Sequence, residues 1–115
     1  MKIVINKCFG GFGLSEEAIF LYGKKKGINI IKDKKKSNSL VSHYYIDEIK
    51  DGNYFSDSDI RRNDPILVEV VNELGEKADG SCSKLKIVEI PDDMKWEIEE
   101  YDGKEWVSET PRKFY

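Results

Sequence analysis

Three glycines within four positions, in the segment of residues 8–15 (CFGGFGLS), constrain this chain more than any other feature. A run rich in Ile and Val at residues 2–7 precedes the segment and predicts a β-strand. Ser15 is a good helix N-cap and is followed by Glu16 and Glu17, so a helix is predicted to begin there. We therefore expect a tight strand-to-helix turn, the glycine turn, whose backbone adopts positive φ angles and approaches its neighbours closely.

Local signals predict the elements that follow. Gly27 is a natural residue to end the first helix. Asp64 followed by Pro65 predicts the start of a second helix, which is expected to end at Gly80. Residues 50–63 are rich in turn formers and are predicted to be a loop. Strand patterns cover residues 28–31, 40–46 and 84–90.

Residues 95–109 carry the clearest β signal in the chain, a hairpin around Asp102-Gly103. This dipeptide favours a two-residue type I′ turn, and such a turn fixes the register of the two strands. The predicted cross-strand pairs are Glu100 with Glu105, Glu99 with Trp106, and Ile98 with Val107.

The register divides the hairpin into two faces, because successive strand residues point to opposite sides. The face expected to meet the core holds Trp96, Ile98 and Val107. The other face holds Glu97, Glu99, Tyr101 and Trp106. Since directly opposed like charges destabilise a sheet, Glu100 and Glu105 are expected either to attract a cation or to stay solvated at the tip.

The order of elements, β-α-β-β-α-β-β-β, predicts the α+β class, with a single mostly antiparallel sheet and two helices packed on one face. A chain of 115 residues is expected to form one domain, residues 1–115. No apolar run reaches about 18 residues, so no membrane span is expected. The first residues already read as a strand, so no signal peptide is expected. Cys8 and Cys82 are expected to be reduced thiols in a cytoplasm.

Charge is unevenly distributed along this chain of net charge −3. Residues 1–36 hold nine lysines against three acids, and residues 89–109 hold nine acids against two lysines. Either the two segments meet different partners or they pair with each other across the fold. The lysines at positions 24–26 and 32–36 form a candidate phosphate-contacting surface or a solvated face. Net acidity argues against a dedicated nucleic-acid binder.

Three strings of the sequence are distinctive: INKCFGGFGLS at residues 5–15, DP with ELG at residues 64–65 and 73–75, and IPDD with WEIEEYDG within residues 90–103. They resemble a family of small uncharacterised proteins of bacteriophages and prophages. Relatives tend to end in a His-Arg-x-Trp-like tail, where this chain has PRKF at residues 111–114. The resemblance implies a phage accessory protein that acts in the host cytoplasm by binding, for example by blocking a defence protein or sequestering a nucleotide signal.

The glycine turn is the first candidate site. Backbone N–H groups at the start of a helix bind anions, and an aromatic ring can stack on a base. The expected ligand-binding residues are Phe9, Gly10, Gly11, Phe12, Gly13, Ser15 and Arg112, with Lys113 as a further source of charge. The alternative is a turn whose two phenylalanines belong to the core.

The outer face of the hairpin is the second candidate site. An exposed tryptophan among glutamates suits a protein interface, where Trp and Tyr are enriched. The expected interface residues are Tyr101, Trp106, Glu97 and Glu99. The alternative is that another segment of the chain covers Trp106.

An enzymatic role ranks third. Cys8 precedes a helix start, which lowers a thiol pKa, and His43 with Asp47 would complete a Cys-His-Asp set. A buried, inert Cys8 is the expectation. The acidic residues at 92–100 fit no EF-hand, and with a single histidine in the chain no metal or cofactor is expected.

We therefore expect a homo-oligomeric binding protein without enzymatic activity. Its expected ligand is a small anionic molecule derived from a nucleotide, captured to counter host defence. The alternative partner is a host protein inhibited through the acidic hairpin.

Overall fold

The computed structural model of the protein describes residues 1–35 and 42–110. Within these ranges the helices are α1 (Glu16–Lys26) and α2 (Pro65–Leu74), with 3-10 helices at Asp57–Asp59 and Gly75–Ala78. The strands are β1 (Lys2–Asn6), β2 (Ile30–Lys32), β3 (Tyr44–Ile46), β4 (Tyr54–Phe55), β5 (Leu85–Glu89), β6 (Trp96–Tyr101) and β7 (Lys104–Glu109). The predicted α+β class is confirmed. Within the described ranges, neither α1 nor α2 is long and apolar enough to cross a bilayer.

The strands form three antiparallel sheets, β1–β5, β2–β3–β4 and β6–β7, so the prediction of a single sheet is wrong. The reason lies at the second edge of β1. Val4 N donates to the carbonyl of Arg62 at 2.8 Å, and Asn6 N donates to the carboxylate of Glu105 at 2.8 Å. Because a loop and a side chain take these donors, the ladder stops at β1 and the hairpin remains a separate sheet.

The hairpin has the predicted register. Asp102 has φ 50° and Gly103 has φ 88°, as a type I′ turn requires. Glu97, Glu99, Tyr101 and Trp106 are exposed, whereas Trp96, Ile98 and Val107 are partly buried. The cross-strand pairs include Glu100 with Glu105, Glu99 with Trp106, and Ile98 with Val107.

Capping residues set the helix starts as predicted, but α2 is shorter than predicted. The Ser15 side chain accepts a hydrogen bond from Ala18 N at 3.1 Å, and Asp64 accepts one from Ile66 N at 2.8 Å. α2 ends at Leu74 because Gly75, at φ 58° and ψ −128°, turns the chain out of the α-helix. A 3-10 helix then continues to Ala78. The single helix expected to end at Gly80 is therefore an α-helix followed by a short 3-10 helix.

Short strand β4 lies within residues 50–63, where a loop was predicted. Tyr54 and Phe55 pair with Tyr45 and Tyr44 of β3, and Phe55 is buried. Turn formers on both sides hide this two-residue strand from sequence patterns. Of the strand predicted at residues 40–46, positions 40 and 41 lie outside the described residues, and β3 covers the rest from Tyr44.

The core joins both helices to two of the sheets. α1 packs against α2, and α2 packs against β1 and β5. Val4 of β1 and Leu67 and Val70 of α2 have no exposed surface. The core residues are Val4, Leu14, Ala18, Ile19, Tyr22, Ile30, Tyr44, Phe55, Ile60, Leu67, Val70, Val71 and Ala78.

Candidate functional site

The glycine turn packs against the tip of the β6–β7 hairpin. Gly10 has φ 116°, and its N–H donates to the carbonyl of Asp102 at 3.1 Å. A Cβ added to Gly103 would lie 2.1 Å from Gly11 N, a distance that no side chain could tolerate. The glycines of both segments therefore allow two stretches of the protein's own backbone to approach each other.

Amides that we expected to bind a phosphate in this turn have partners within the protein. Besides Gly10 N, Leu14 N donates to the carboxylate of Asp57 at 2.9 Å, and Ser15 N donates to the carbonyl of Ala78 at 2.9 Å. The Ser15 hydroxyl caps α1 and donates to the carbonyl of Lys77 at 2.6 Å. These groups shape the turn, so charge for an anionic ligand must come from elsewhere.

Asn6 ties the turn to the hairpin and to the approach to β5. Its side chain has no exposed surface and makes four hydrogen bonds. Its Nδ2 donates to the carbonyls of Cys8 and Gly103, each at 2.7 Å. Its Oδ1 accepts from Cys8 N at 3.2 Å and from Lys84 N at 2.8 Å. Three segments therefore depend on one amide side chain.

An ion pair joins Glu105 of the hairpin to Arg62, in the loop before α2. The guanidinium donates through both Nη atoms to the two carboxylate oxygens, with Nη2 to Oε2 at 2.9 Å. The Glu105 side chain is only 9% exposed and also accepts from Asn6 N. Arg62 is therefore the cation that was expected near the opposed Glu100 and Glu105.

The two phenylalanines of the turn have different environments. Phe12 packs against the core, and the Arg62 guanidinium lies 3.6 Å above the centre of its ring. Phe9 is 57% exposed, and the Lys104 ammonium lies 5.8 Å from the centre of its ring. Only Phe9 of this pair offers an open face on which a planar ligand could stack.

Four lysines, the lysine cluster, lie on this side of the molecule: Lys7, Lys84, Lys86 and Lys104. Lys7 N donates to the carbonyl of Lys84 at 2.8 Å. The ammonium of Lys86 lowers the pKa of Lys7 most, followed by partial loss of hydration and by the charges of Lys104 and Lys84. Within the part of the chain that the structure describes, none of the four forms an ion pair.

Several lysines that the sequence suggested for phosphate contact are neutralised by acids. The acids that pair with these lysines lie in α1, in α2 and at the N-cap of α2. None of them lies in the acidic segment at residues 89–109. Lys36 lies outside the described residues. The ion pairs join Lys25 to Glu69 and Glu73, Lys26 to Asp64, and Lys32 to Glu16.

The outer face of the hairpin presents its aromatic residues to solvent. Tyr101 is 72% exposed and Trp106 is 44% exposed. The Trp106 indole donates through Nε1 to the carboxylate of Glu99 at 2.9 Å, which holds the ring beside the acid. Glu97 lies on the same face and is exposed. The structure therefore groups the four predicted interface residues on one surface.

A polar cleft of about 530 Å³ opens at the start of α1. Its lining includes the carboxylates of Glu16, Asp57 and Asp79, and its lysine, Lys32, already pairs with Glu16. Such a lining repels anions, so the cleft does not suit the predicted ligand.

Cys8 lies on a different element from His43 and Asp47. Cys8 is exposed, so the expectation that it is buried is wrong, because it lies beyond the last residue of β1 and outside the core. His43 and Asp47 flank β3 in another sheet. The His43 ring packs beside the Tyr54 ring at 6.1 Å between centres. Over the described residues, no three His, Cys, Asp or Glu side chains converge as metal ligands. Arg112 and Lys113 lie outside those residues.

The residues of the candidate site that the sequence did not single out are Asn6, Arg62 and the lysine cluster. The opposed Glu100 and Glu105 were the signal for a cation, but nothing in the sequence selects Arg62. The signal for the cluster is the alternation of lysines at positions 84 and 86 of the strand predicted at residues 84–90. In the structure Lys84 precedes β5, and its carbonyl accepts from the N–H of Lys7, which follows β1.

Comparisons with protein-family models, with curated proteins and with solved structures give no match. The fold and the site alone therefore define the class: an α+β protein with a cationic surface beside an exposed aromatic ring.

Proposed function

We propose that the protein binds a small phosphate-bearing ligand derived from a nucleotide, with its phosphates at the lysine cluster and its base on Phe9. The observation that supports this most is the lysine cluster: Lys7 N bonds to the carbonyl of Lys84, Lys104 lies beside Phe9, and none of the four lysines forms an ion pair with an acid among the described residues. A concentrated positive potential attracts polyvalent anions. The exposed Phe9 ring beside Lys104 supplies a stacking face.

A small ligand fits this surface better than a long nucleic acid. The cluster spans few charges, and the chain as a whole is acidic, with net charge −3. The acidic outer face of the hairpin adjoins the same tip and would repel an extended phosphate backbone. A compact di- or triphosphate can contact the lysines without meeting those glutamates.

The resemblance to phage proteins gives this binding a biological role. Capture of a nucleotide-derived signal in the host cytoplasm would lower its free concentration, and such capture needs no catalytic group. The protein would then counter a host defence by stoichiometric binding.

Thermal unfolding with two probes, ATP and inorganic tripolyphosphate, tests the proposal. A ligand that binds only the native state raises the Tm. Both probes should raise it, because both present phosphates to the lysines. ATP should raise it by several degrees more, since stacking of a base on an aromatic ring contributes about 1–3 kcal/mol. Sodium chloride at matched ionic strength is the control and should give a smaller shift.

Variants assign the effect to residues. The double variant Lys84→Ala/Lys86→Ala should lose most of the shift with either probe. Phe9→Ala should reduce the ATP shift to that of tripolyphosphate. Lys24→Ala, which removes an exposed lysine of α1, is the matched control and should keep the full shift. Equal shifts in the wild type and the double variant would exclude this site.

A further inference from the structure

Apart from Lys104, the residues on the outer face of the hairpin are not used by the proposed ligand. Glu97, Glu99, Tyr101 and Trp106 lie side by side on this face. The indole of Trp106 is fixed by its hydrogen bond to Glu99. Aromatic rings held beside carboxylates suit a cationic side chain, which can pair with the acid and stack on the ring.

The edge of β6 adds unpaired backbone groups to this surface. Thr110 N donates to the carbonyl of Lys95 at 2.8 Å, which sets the phase of the antiparallel ladder. The odd-numbered residues of β6 therefore exchange backbone hydrogen bonds with β7. The backbone N–H and C=O groups of the even-numbered Ile98 and Glu100 point away from β7. Among the described strands the hairpin sheet has no third member, and none of them pairs with this edge. An open edge is a template for an added strand.

Charge decides what kind of strand can be added. Residues 89–109 hold nine acids against two lysines. Pairing with the β6 edge of a second copy would bring the glutamates of both copies together, and directly opposed like charges destabilise a sheet. A positively charged strand would meet Glu97 and Glu99 with the opposite sign.

We propose that the β6 edge and the outer face of the hairpin bind an extended, Lys- or Arg-rich segment of a partner protein by strand addition. Main-chain hydrogen bonds to Ile98 and Glu100 would align the segment. Alternate residues of the segment then lie on the outer face, where basic side chains contact Glu97 and Glu99 and stack on Tyr101. The groups that carry this proposal are Glu97, Glu99, Tyr101 and the β6 edge, none of which belongs to the lysine cluster; the two surfaces adjoin at Lys104, which faces Tyr101 across the hairpin.

Fluorescence anisotropy with labelled peptides tests strand addition on the full chain. The probes are an alternating Arg-Val peptide, an alternating Glu-Val peptide, and the Arg-Val peptide with every second amide N-methylated. The basic peptide should bind, and the acidic one should not. N-methylation removes main-chain donors and should weaken binding by about tenfold or more. Equal binding of the methylated peptide would overturn strand addition.

Charge-reversal variants locate the site. The double variant Glu97→Lys/Glu99→Lys should bind the basic peptide about tenfold or more weakly than the wild type does. Glu17→Lys/Glu76→Lys changes the net charge equally at exposed positions elsewhere and should bind the peptide within about twofold of the wild type. If both double variants lost the same affinity for the peptide, net charge alone would explain its binding, and the proposal would be overturned.

Amide hydrogen exchange supplies a readout that charge alone would not change. Exchange at Ile98 and Glu100 should slow when the basic peptide is bound, because those amides gain partners. Unchanged exchange at both residues would overturn the proposal. Sedimentation analysis tests the remaining alternative, a second copy of the chain bound to this surface. A dimer that the double variant Glu97→Lys/Glu99→Lys dissociates would assign the surface to that second copy and overturn the proposal.

Discussion

At the scale of single residues, Asn6 determines how the site is assembled. No other side chain type of this size offers both two N–H donors and a carbonyl acceptor. Asn6 uses them on the glycine turn, on the hairpin tip and on Lys84 N, all without exposure to water. The position of Phe9 relative to Lys104 therefore depends on Asn6, which hydrogen-bonds the backbone of the residue before each of them, Cys8 and Gly103.

Replacing Asn6 by Ala should destabilise the protein strongly. The variant leaves the amides of Cys8 and Lys84 and the carbonyl of Gly103 without their partners, and a buried unsatisfied group costs about 1–3 kcal/mol. We expect a loss of about 2–4 kcal/mol in the free energy of unfolding, measured by urea denaturation. Asn72→Ala, at an exposed position of α2, is the matched control and should change it by less than about 0.5 kcal/mol. A similar small loss for Asn6→Ala would show that water replaces these bonds.

At the scale of elements, one carboxylate joins the two helices. Asp64 Oδ1 accepts from Ile66 N and caps α2, while Oδ2 accepts from the Tyr22 hydroxyl at 2.8 Å and from the Lys26 ammonium at 3.2 Å. Burial alone would raise the pKa of Asp64, but the hydrogen bonds from Tyr22, Ile66 N and Lys26 outweigh burial and lower it below its ordinary value. Burial and the nearby Asp64 raise the pKa of Tyr22, which keeps its hydroxyl a donor.

The lowered pKa of Asp64 predicts acid-sensitive stability. A carboxyl group with a pKa lower in the folded than in the unfolded state stabilises the protein fully above the unfolded value, and this contribution is lost as pH falls through the folded value. Asp64→Asn should therefore cost about 1–2 kcal/mol at neutral pH and progressively less below about pH 4. Urea denaturation of both proteins across this pH range measures the difference.

Tyr22→Phe provides the matched test of the cause. It removes one donor to Asp64 and leaves the cap on Ile66 N in place. We expect a cost of about 1 kcal/mol at neutral pH that also shrinks in acid. A difference from wild type that stays constant with pH in both variants would contradict the role given to the carboxylate.

At the scale of the whole molecule, features set by neighbours in sequence could be predicted, and features set by distant residues could not. Ser15, Asp64 and Asp102-Gly103 act within a few positions, so the helix starts and the hairpin register were predicted correctly. Arg62 and Glu105 are 43 positions apart. Their ion pair, like the meeting of Lys7 with Lys86, depends on how the sheets are placed. For the same reason the sequence did not reveal that β1 ends the first sheet.

The two proposed binding surfaces meet at Lys104. This residue belongs to the lysine cluster and also faces Tyr101 across the hairpin. An ammonium at this position attracts phosphate and repels a basic peptide. A phosphate bound at the cluster offsets that repulsion, so the two ligands should favour each other, and linkage requires the same factor in both directions.

We therefore expect tripolyphosphate to tighten binding of the Arg-Val peptide by about two- to fivefold at constant ionic strength, as expected for one screened charge at short range. Anisotropy titrations with and without tripolyphosphate measure this factor. Lys104→Ala should bind the peptide more tightly on its own and should abolish the coupling, because the repelling charge is gone. Direct association of the two probes in solution would instead weaken apparent binding, which is the opposite sign. Coupling that persists undiminished in Lys104→Ala would mean that the two surfaces communicate through another part of the hairpin.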